Sequence, residues 1–499
     1  MTKNILKRVL TIAIFTYVSM PITYLIRILY ARTLSIEAYG LFYALIAFMG
    51  LIGRFNDLGT SPALVHYLPK YIHEKATKKI KAAITTVFII EITTAIIIAI
   101  TVLLLKKTLA QTYFKTNLAI TVLPIFAFIF IVQNINDILV NVFKGYRKEA
   151  LYSSMNPIRL LIVLIMSATA ATIFKENIIT IFSLIWVSSF LVNVIIYTPF
   201  LIKPKQILKT KILVFDKKTT KKLFKYGIYV MLTGIAGIFL GRIDTIMLTA
   251  FKGVKQTGLY ETALPIAGIL LTTTIPITTF LFPQISHYYH TKQNKAIKTT
   301  MQTIYNTGIF LFLPISVIIM MYPQEIITIM FGQKYLQAKT ALQILTAGYI
   351  FAVLHGINTT ILNGTGQIKE TSKIIYTGAI TNIILNLIMI PKLGITGAAT
   401  ATSTSTLIMF MLSMKETIKK IKFKPSYKNT TKIIINTILF VVIVYLLKTT
   451  LKLNMYIEAG IILTTSGIIY LTIGIIWKII DYQYIKKLIK ETIKTRKTE

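Results

Sequence analysis

The run YGLFYALIAFMGLI (Tyr39–Ile52) passes into GRFNDLGTSPALVHYLPK (Gly53–Lys70). The first part is continuously apolar; the second sets Arg54 and Asp57 into the same segment before any loop signal. In hydrocarbon a charge near a helix centre costs at least about 2.5 kcal/mol unless it faces protein or water. The stretch therefore reads as a membrane span near 39 to 68 whose charges point inward, and the chain is tested for more of the same.

Composition agrees. The chain has 499 residues, 55% of them hydrophobic, and a mean hydropathy of +0.69, more apolar side chain than one soluble core can hide. The net charge of +38 would suggest nucleic acid in a soluble protein, but the basic residues fall between apolar blocks, which removes nucleic acid as a partner. With no cysteine, disulfides, thiolate metal sites and cysteine nucleophiles are excluded. The start, MTKNILKRVLTIAIFTYVSM, reads as an uncleaved first span.

Helix-length apolar blocks lie near 9–31, 39–68, 82–105, 117–141, 150–174 and 178–202, then 223–250, 257–283, 298–322, 339–363, 371–391 and 394–414, with a last pair at 430–449 and 455–480. The expectation is an all-α integral membrane protein of about fourteen helices. Its expected parts are an N-terminal six-helix lobe (1–202), a basic linker (203–222), a second six-helix lobe (223–414), a basic linker (415–429), two added helices (430–480) and a basic tail (481–499). Lysine-rich connectors such as KYIHEKATKKIK, FKGYRKEA and KETIKKIKFKPSYK share one side if both termini are cytoplasmic. That face would meet anionic headgroups of the bilayer.

An internal repeat organises these blocks. EAYGLFYALIA (37–47) resembles KQTGLYETALPIA (255–267), matching Gly40 with Gly258; the prolines at 62 and 69 match those at 276 and 283; FKGYRKEALYS (143–153) resembles NGTGQIKETSK (363–373). The unit is about 218 residues long. Six spans per copy give both copies the same polarity, related by an axis along the membrane normal, the plan of a transporter with a cavity between two bundles.

The stretches YARTLSIEAYGLFYALIAFMGLIGRFNDLGTSPALVHYLPK and GRIDTIMLTAFKGVKQTGLYETALPIAG, with the repeat and the two added helices, resemble the polysaccharide biosynthesis (Wzx-type) flippases of the multidrug/oligosaccharidyl-lipid/polysaccharide exporter (MATE-like) superfamily. The resemblance covers essentially the first 415 residues. It implies a V-shaped cavity between two lobes and alternating access that moves a polyprenyl-(pyro)phosphate-linked glycan between leaflets of the cell membrane. It also implies glycan-assembly membrane enzymes as neighbours, and no catalytic chemistry or cofactor.

Arg27, Arg54, Arg159 and Arg242 are the candidates for a cationic cavity, since guanidinium stays charged when desolvated and grips phosphate in a bidentate way. Arg27 and Arg242, near the repeat offset, are expected to face each other. The plainer roles are an ion pair with Asp57 for Arg54, and a reach to headgroups for Arg27 and Arg159. Asp57, Asp137, Asp244 and Glu91 are candidates either for proton or sodium coupling or for salt bridges, with Glu91 favoured as a helix–helix hydrogen bond. His287 and His290 in HYYH lack an evident third metal ligand, and His355 is expected to be buried and hydrogen-bonded. Pro62, Pro265 and Pro276 are candidate kinks. A drug-cation antiporter, the alternative within the superfamily, would need a carboxylate-dominated cavity; a membrane enzyme would need an external catalytic loop that the short connectors do not provide.

Overall fold

The computed structural model describes residues 2–202, 215–422, 427–451, 454–477 and 479, with the side chains of 2–10, 54, 202, 229, 232–240, 276, 427–428 and 455–456 outside the description. The described residues are almost wholly helical and contain no strand. They form two compact units, Met1–Glu261 and Thr262–Glu499.

The first unit holds α1 (Thr2–Thr33), α2 (Ile36–Asn56), α3 (Thr60–His73), α4 (Thr77–Leu104), α5 (Leu118–Ala127), α6 (Ile129–Gly145), α7 (Glu149–Ile173), α8 (Ile178–Tyr197) and α9 (Lys217–Lys252). The helix α10 (Val254–His290) begins in it and passes into the second unit. There follow α11 (Asn294–Met321), α12 (Pro323–Met330), α13 (Lys339–Gly364), α14 (Ile368–Leu393), α15 (Ile395–Ile421), α16 (Tyr427–Thr450) and α17 (Met455–Ile476). Among the described residues 13 segments are long and apolar enough to cross a membrane. The expected span 223–250 lies in α9, where part of the side-chain description is missing. Leu104, Ile173, Ile195 and Ile475 stand more than half exposed, an apolar surface that bilayer lipid would cover.

Local chemistry sets the helix ends. Ser35 caps α2 by accepting the Ala38 N–H at 3.1 Å. Asp216 caps α9, accepting the Thr219 N–H at 3.0 Å and the Thr219 hydroxyl, and these bonds hold its carboxyl below the usual carboxylate range. In the first unit Tyr30 stacks on Phe182 at 4.3 Å and its hydroxyl lies 3.0 Å from Ser167 Oγ. In the second, α16 and α17 pack on α11 through Phe310, Phe440 and Tyr470. Tyr470 donates to the Phe310 carbonyl at 2.9 Å, and Lys448 pairs with Glu325 of α12 at 3.0 Å.

The span expected at 39–68 is two helices. The chain breaks at Asp57–Gly59: Leu58 and Gly59 take φ of 46° and 69°, and Asp57 Oδ1 accepts the Gly59 N–H at 2.7 Å. Pro62 therefore sits in the first turn of α3, where a missing N–H costs nothing, and kinks no helix. The expected span 117–141 is likewise divided, at Phe128.

The repeat reappears in the backbone with a tighter register. Lys75 and Lys292 both take the left-handed conformation after a helix, as do Arg147 and Gly366. Gly145 lies against Leu68, and Gly364 against Ile285. These pairs stand 217 and 219 residues apart, and Gly40 and Gly258 stand 218 apart. The proline match at 214 pairs positions about one helical turn out of register. In the corrected register Arg27 corresponds to Thr245, Tyr43 to Glu261, and Asp57 to Thr274.

Candidate functional site

Within the first unit a cavity of about 510 Å³ is lined by polar and aromatic side chains of α6, α7, α8 and α9. Helical spacing explains the lining: Trp186, Phe190 and Asn193 recur at i, i+4 and i+7 on α8, and Asn156 and Arg159 at i and i+3 on α7. Arg159 lies ten residues into α7, about 15 Å from its start, and is buried within the protein. Its guanidinium sits 4.8 Å from the Trp186 ring centroid and 4.2 Å from that of Phe190, and donates to Ser189 Oγ at 3.3 Å. Asp137 faces the same space and accepts from Asn136 Nδ2 at 3.2 Å; Asn136 in turn accepts from Asn193 Nδ2 at 2.8 Å. Arg242 completes the lining. The cavity thus sets two guanidiniums against one carboxylate.

Arg27 is engaged elsewhere. Its Nη1 lies 3.1 Å from Glu261 Oε2 and 3.1 Å from the Glu261 carbonyl, and the guanidinium covers the Tyr43 ring at 4.2 Å. Glu261 is fully buried and also accepts from Thr245 Oγ1 at 2.7 Å. Arg27 and Thr245, equivalent in the repeat, therefore donate to one carboxylate. Arg242 does not occupy the position equivalent to Arg27, yet it shares with it the electrostatic surroundings of Tyr43 and Glu261.

The remaining candidates take various places. The Arg54 side chain lies outside the described residues. Asp57 holds the turn between α2 and α3. Asp244 accepts from the Tyr260 hydroxyl at 2.8 Å. Glu91 is 1% exposed, and its carboxyl lies beside the Thr60 and Ser61 hydroxyls without a hydrogen bond of normal geometry. Its carbonyl, by contrast, accepts from Asn134 Nδ2 at 2.9 Å, so the helix–helix bond expected of Glu91 is made by its backbone. His355, expected to be hydrogen-bonded, pairs with the Met409 backbone, while its Nδ1 has no hydrogen-bond partner among the described residues. No group of three metal-ligating residues occurs among the described residues, His287 and His290 included.

The aromatic wall and the amides are not among the residues that charge and spacing single out in the sequence. Trp186 is one of two tryptophans in the chain, and Asn136 stands beside Asp137. Both signals were present, but only the packing of α6 against α8 brings them to Arg159.

Comparison with known proteins agrees with this architecture. The polysaccharide biosynthesis protein family model matches residues 5–289, and the MatE model matches 230–388. The chain is 30% identical over 495 residues to an uncharacterised membrane protein of Methanocaldococcus jannaschii, covering 96% of each. It is 24% identical over 273 residues to a probable low-salt glycan biosynthesis flippase of Haloferax volcanii, covering 55% of this chain and 58% of that protein. Among solved structures, a lipid II flippase in an inward closed conformation superposes with a TM-score of 0.76 at 17% identity, over 94% of this chain and 98% of the other.

Proposed function

Because this chain belongs to the polysaccharide biosynthesis protein family, we propose that it is a flippase moving a polyprenyl-(pyro)phosphate-linked oligosaccharide from the inner to the outer leaflet of the cell membrane, with both termini cytoplasmic. The observation carrying this reading is that Arg159 and Arg242 line one cavity with a single carboxylate. Such a lining attracts a phosphorylated headgroup and repels a cationic drug. The neighbouring amides of Asn136, Asn156 and Asn193 offer donors and acceptors suited to sugar hydroxyls, and Trp186 and Phe190 offer apolar faces to a sugar ring. Asp137 is the candidate in this cavity for a proton or sodium ion exchanged during the cycle.

The test is transbilayer movement of a polyprenyl-pyrophosphate-linked oligosaccharide in proteoliposomes. Arg159→Ala and Arg242→Ala should each slow it by about tenfold or more, the loss expected when a charge-assisted phosphate contact worth at least about 1.4 kcal/mol disappears, and Arg→Lys should restore part. A native chain that moves no such lipid but exchanges organic cations for protons would overturn the proposal.

A further inference from the structure

Helix α9 and the first turns of α10 are held at both ends by the segments that precede them in the first unit. At one end α10 crosses α2 backbone to backbone. A Cβ on Gly258 would lie 3.1 Å from Gly40 Cα and overlap the Ile36 carbonyl, and a Cβ on Gly40 would overlap the Val254 carbonyl. Ile36 and Val254, like Gly40 and Gly258, stand 218 residues apart. The contact is therefore self-complementary, each copy presenting the same glycine and the same carbonyl to the other, as at a two-fold interface. Around it Lys115 Nζ donates to the Phe251 carbonyl at 2.9 Å, Tyr113 donates to the Ile246 carbonyl at 3.1 Å, and Arg27 pairs with Glu261.

The other end is closed by different parts. A Cβ on Gly227 would lie 2.6 Å from the Leu58 carbonyl, at the break between α2 and α3. Thr86 and Thr220 hydroxyls meet at 3.0 Å, and the His66 and Tyr226 rings stack at 4.6 Å. From Gly227 to Phe251 the helix rises about 36 Å, close to the thickness of a bilayer core. Arg242 lies between the two closures.

Resting on the flippase reading above, we infer that these two glycine contacts are the gates of the cavity: Gly40–Gly258 seals one membrane face, Gly59–Gly227 seals the other, and each must part in turn for Arg242 to meet either side. Glycine suits a gate because its own contact is backbone on backbone, which no rotamer change can relieve, while the surrounding side chains add to the closed state. A side chain at either position holds its own gate open and leaves the opposite gate intact.

The absence of native cysteine makes the test direct. A reporter Val140→Cys, on the cavity wall, is labelled in sealed vesicles with a membrane-impermeant thiol reagent applied to one face at a time. Gly258→Val should raise labelling from one face by roughly fivefold, and Gly227→Val should raise it from the opposite face only, the change expected when the closed state loses about 1 kcal/mol. Lys115→Ala, a milder change at the surface, should act on the same face as Gly258→Val and guards against a glycine variant that does not fold. Increases on both faces for one variant, on the same face for both glycine variants, or no increase in Lys115→Ala would each overturn the inference. Labelling requires no substrate, so gates that behave as described in a protein that moves no glycan lipid would refute the substrate and leave the gates standing.

Discussion

One helix of the repeat occurs twice in this molecule, and the copies differ. In the second copy α10 runs unbroken from Val254 to His290; in the first the same stretch is α2, a turn at Asp57–Gly59, and α3. The unbroken copy has Thr274 where the broken one has Asp57. The contrast extends to the units: every charged side chain among the buried described residues (Lys81, Glu91, Arg159 and Glu261) lies in the first, whereas the buried polar groups of the second are uncharged, Asn306, Asn358, Asn382 and Asn386 among them. A duplicated scaffold kept its turns and glycine contacts while the buried charges of its copies diverged: Lys81, Glu91 and Arg159 stand in the first, and among the described residues Glu261, where the first copy has Tyr43, stands in the second. Packing alone gives no reason for that asymmetry, since Asn358, held by Tyr305 and donating to Ser413 Oγ at 3.1 Å, satisfies a buried polar group without charge.

The comparison can be broken most severely at the ion pair. Glu261→Ala leaves the Arg27 guanidinium, only 12% exposed, without its carboxylate, and should cost about 3–5 kcal/mol in thermal unfolding of detergent-solubilised protein. The double change Arg27→Met with Glu261→Leu should recover most of that. If it does not, the pair contributes more than charge neutralisation.

A smaller effect tests the broken helix against the unbroken one. Asp57→Ala removes the acceptor of the Gly59 N–H and should cost about 0.5–2 kcal/mol, while Thr274→Ala at the equivalent place loses only a hydroxyl bonded back to its own helix at Leu271 and gains helix propensity, so it should stay near native stability. Equal costs in urea unfolding would mean that the turn is held by its surroundings and not by its aspartate.

The smallest shift is expected at Glu91. Its carboxyl makes no hydrogen bond of normal geometry among the described residues, so Glu91→Gln, a neutral isostere, should leave stability within about 1 kcal/mol of native or raise it. A loss above about 3 kcal/mol would instead show that the carboxylate, beside the Thr60 and Ser61 hydroxyls, is itself stabilising.

Much of this was legible beforehand, for identifiable reasons. Apolar blocks of helix length announce membrane spans because bilayer thickness sets their length, and the Gly40–Gly258 match survived because no other residue tolerates that crossing. The proline match misled because Pro62 and Pro276 play different local parts, one in a helix's first turn and one within a continuous helix. For Arg27 the error lay in register: three residues along a helix separate Arg242 from Thr245, and only Thr245 shares Glu261 with Arg27. Asp57 reads as a mid-helix charge in the sequence because its turn partner Gly59 is separated from it by Leu58, an apolar residue that continues the helical pattern yet takes a φ of 46°.

The crossing of Gly40 and Gly258 also bears on descent. In an ancestor encoding a single copy and assembling as a pair, this glycine would have faced itself across a true two-fold axis, so one substitution would have struck both sides of the contact at once. Fusion into one chain separated the two codons but not the constraint, for a side chain on either still meets the other's backbone. Positions a turn or so away, such as Tyr43 and Glu261, were released to follow separate histories. A lineage comparison should therefore find the two glycines lost together or kept together, with the charges around them varying independently.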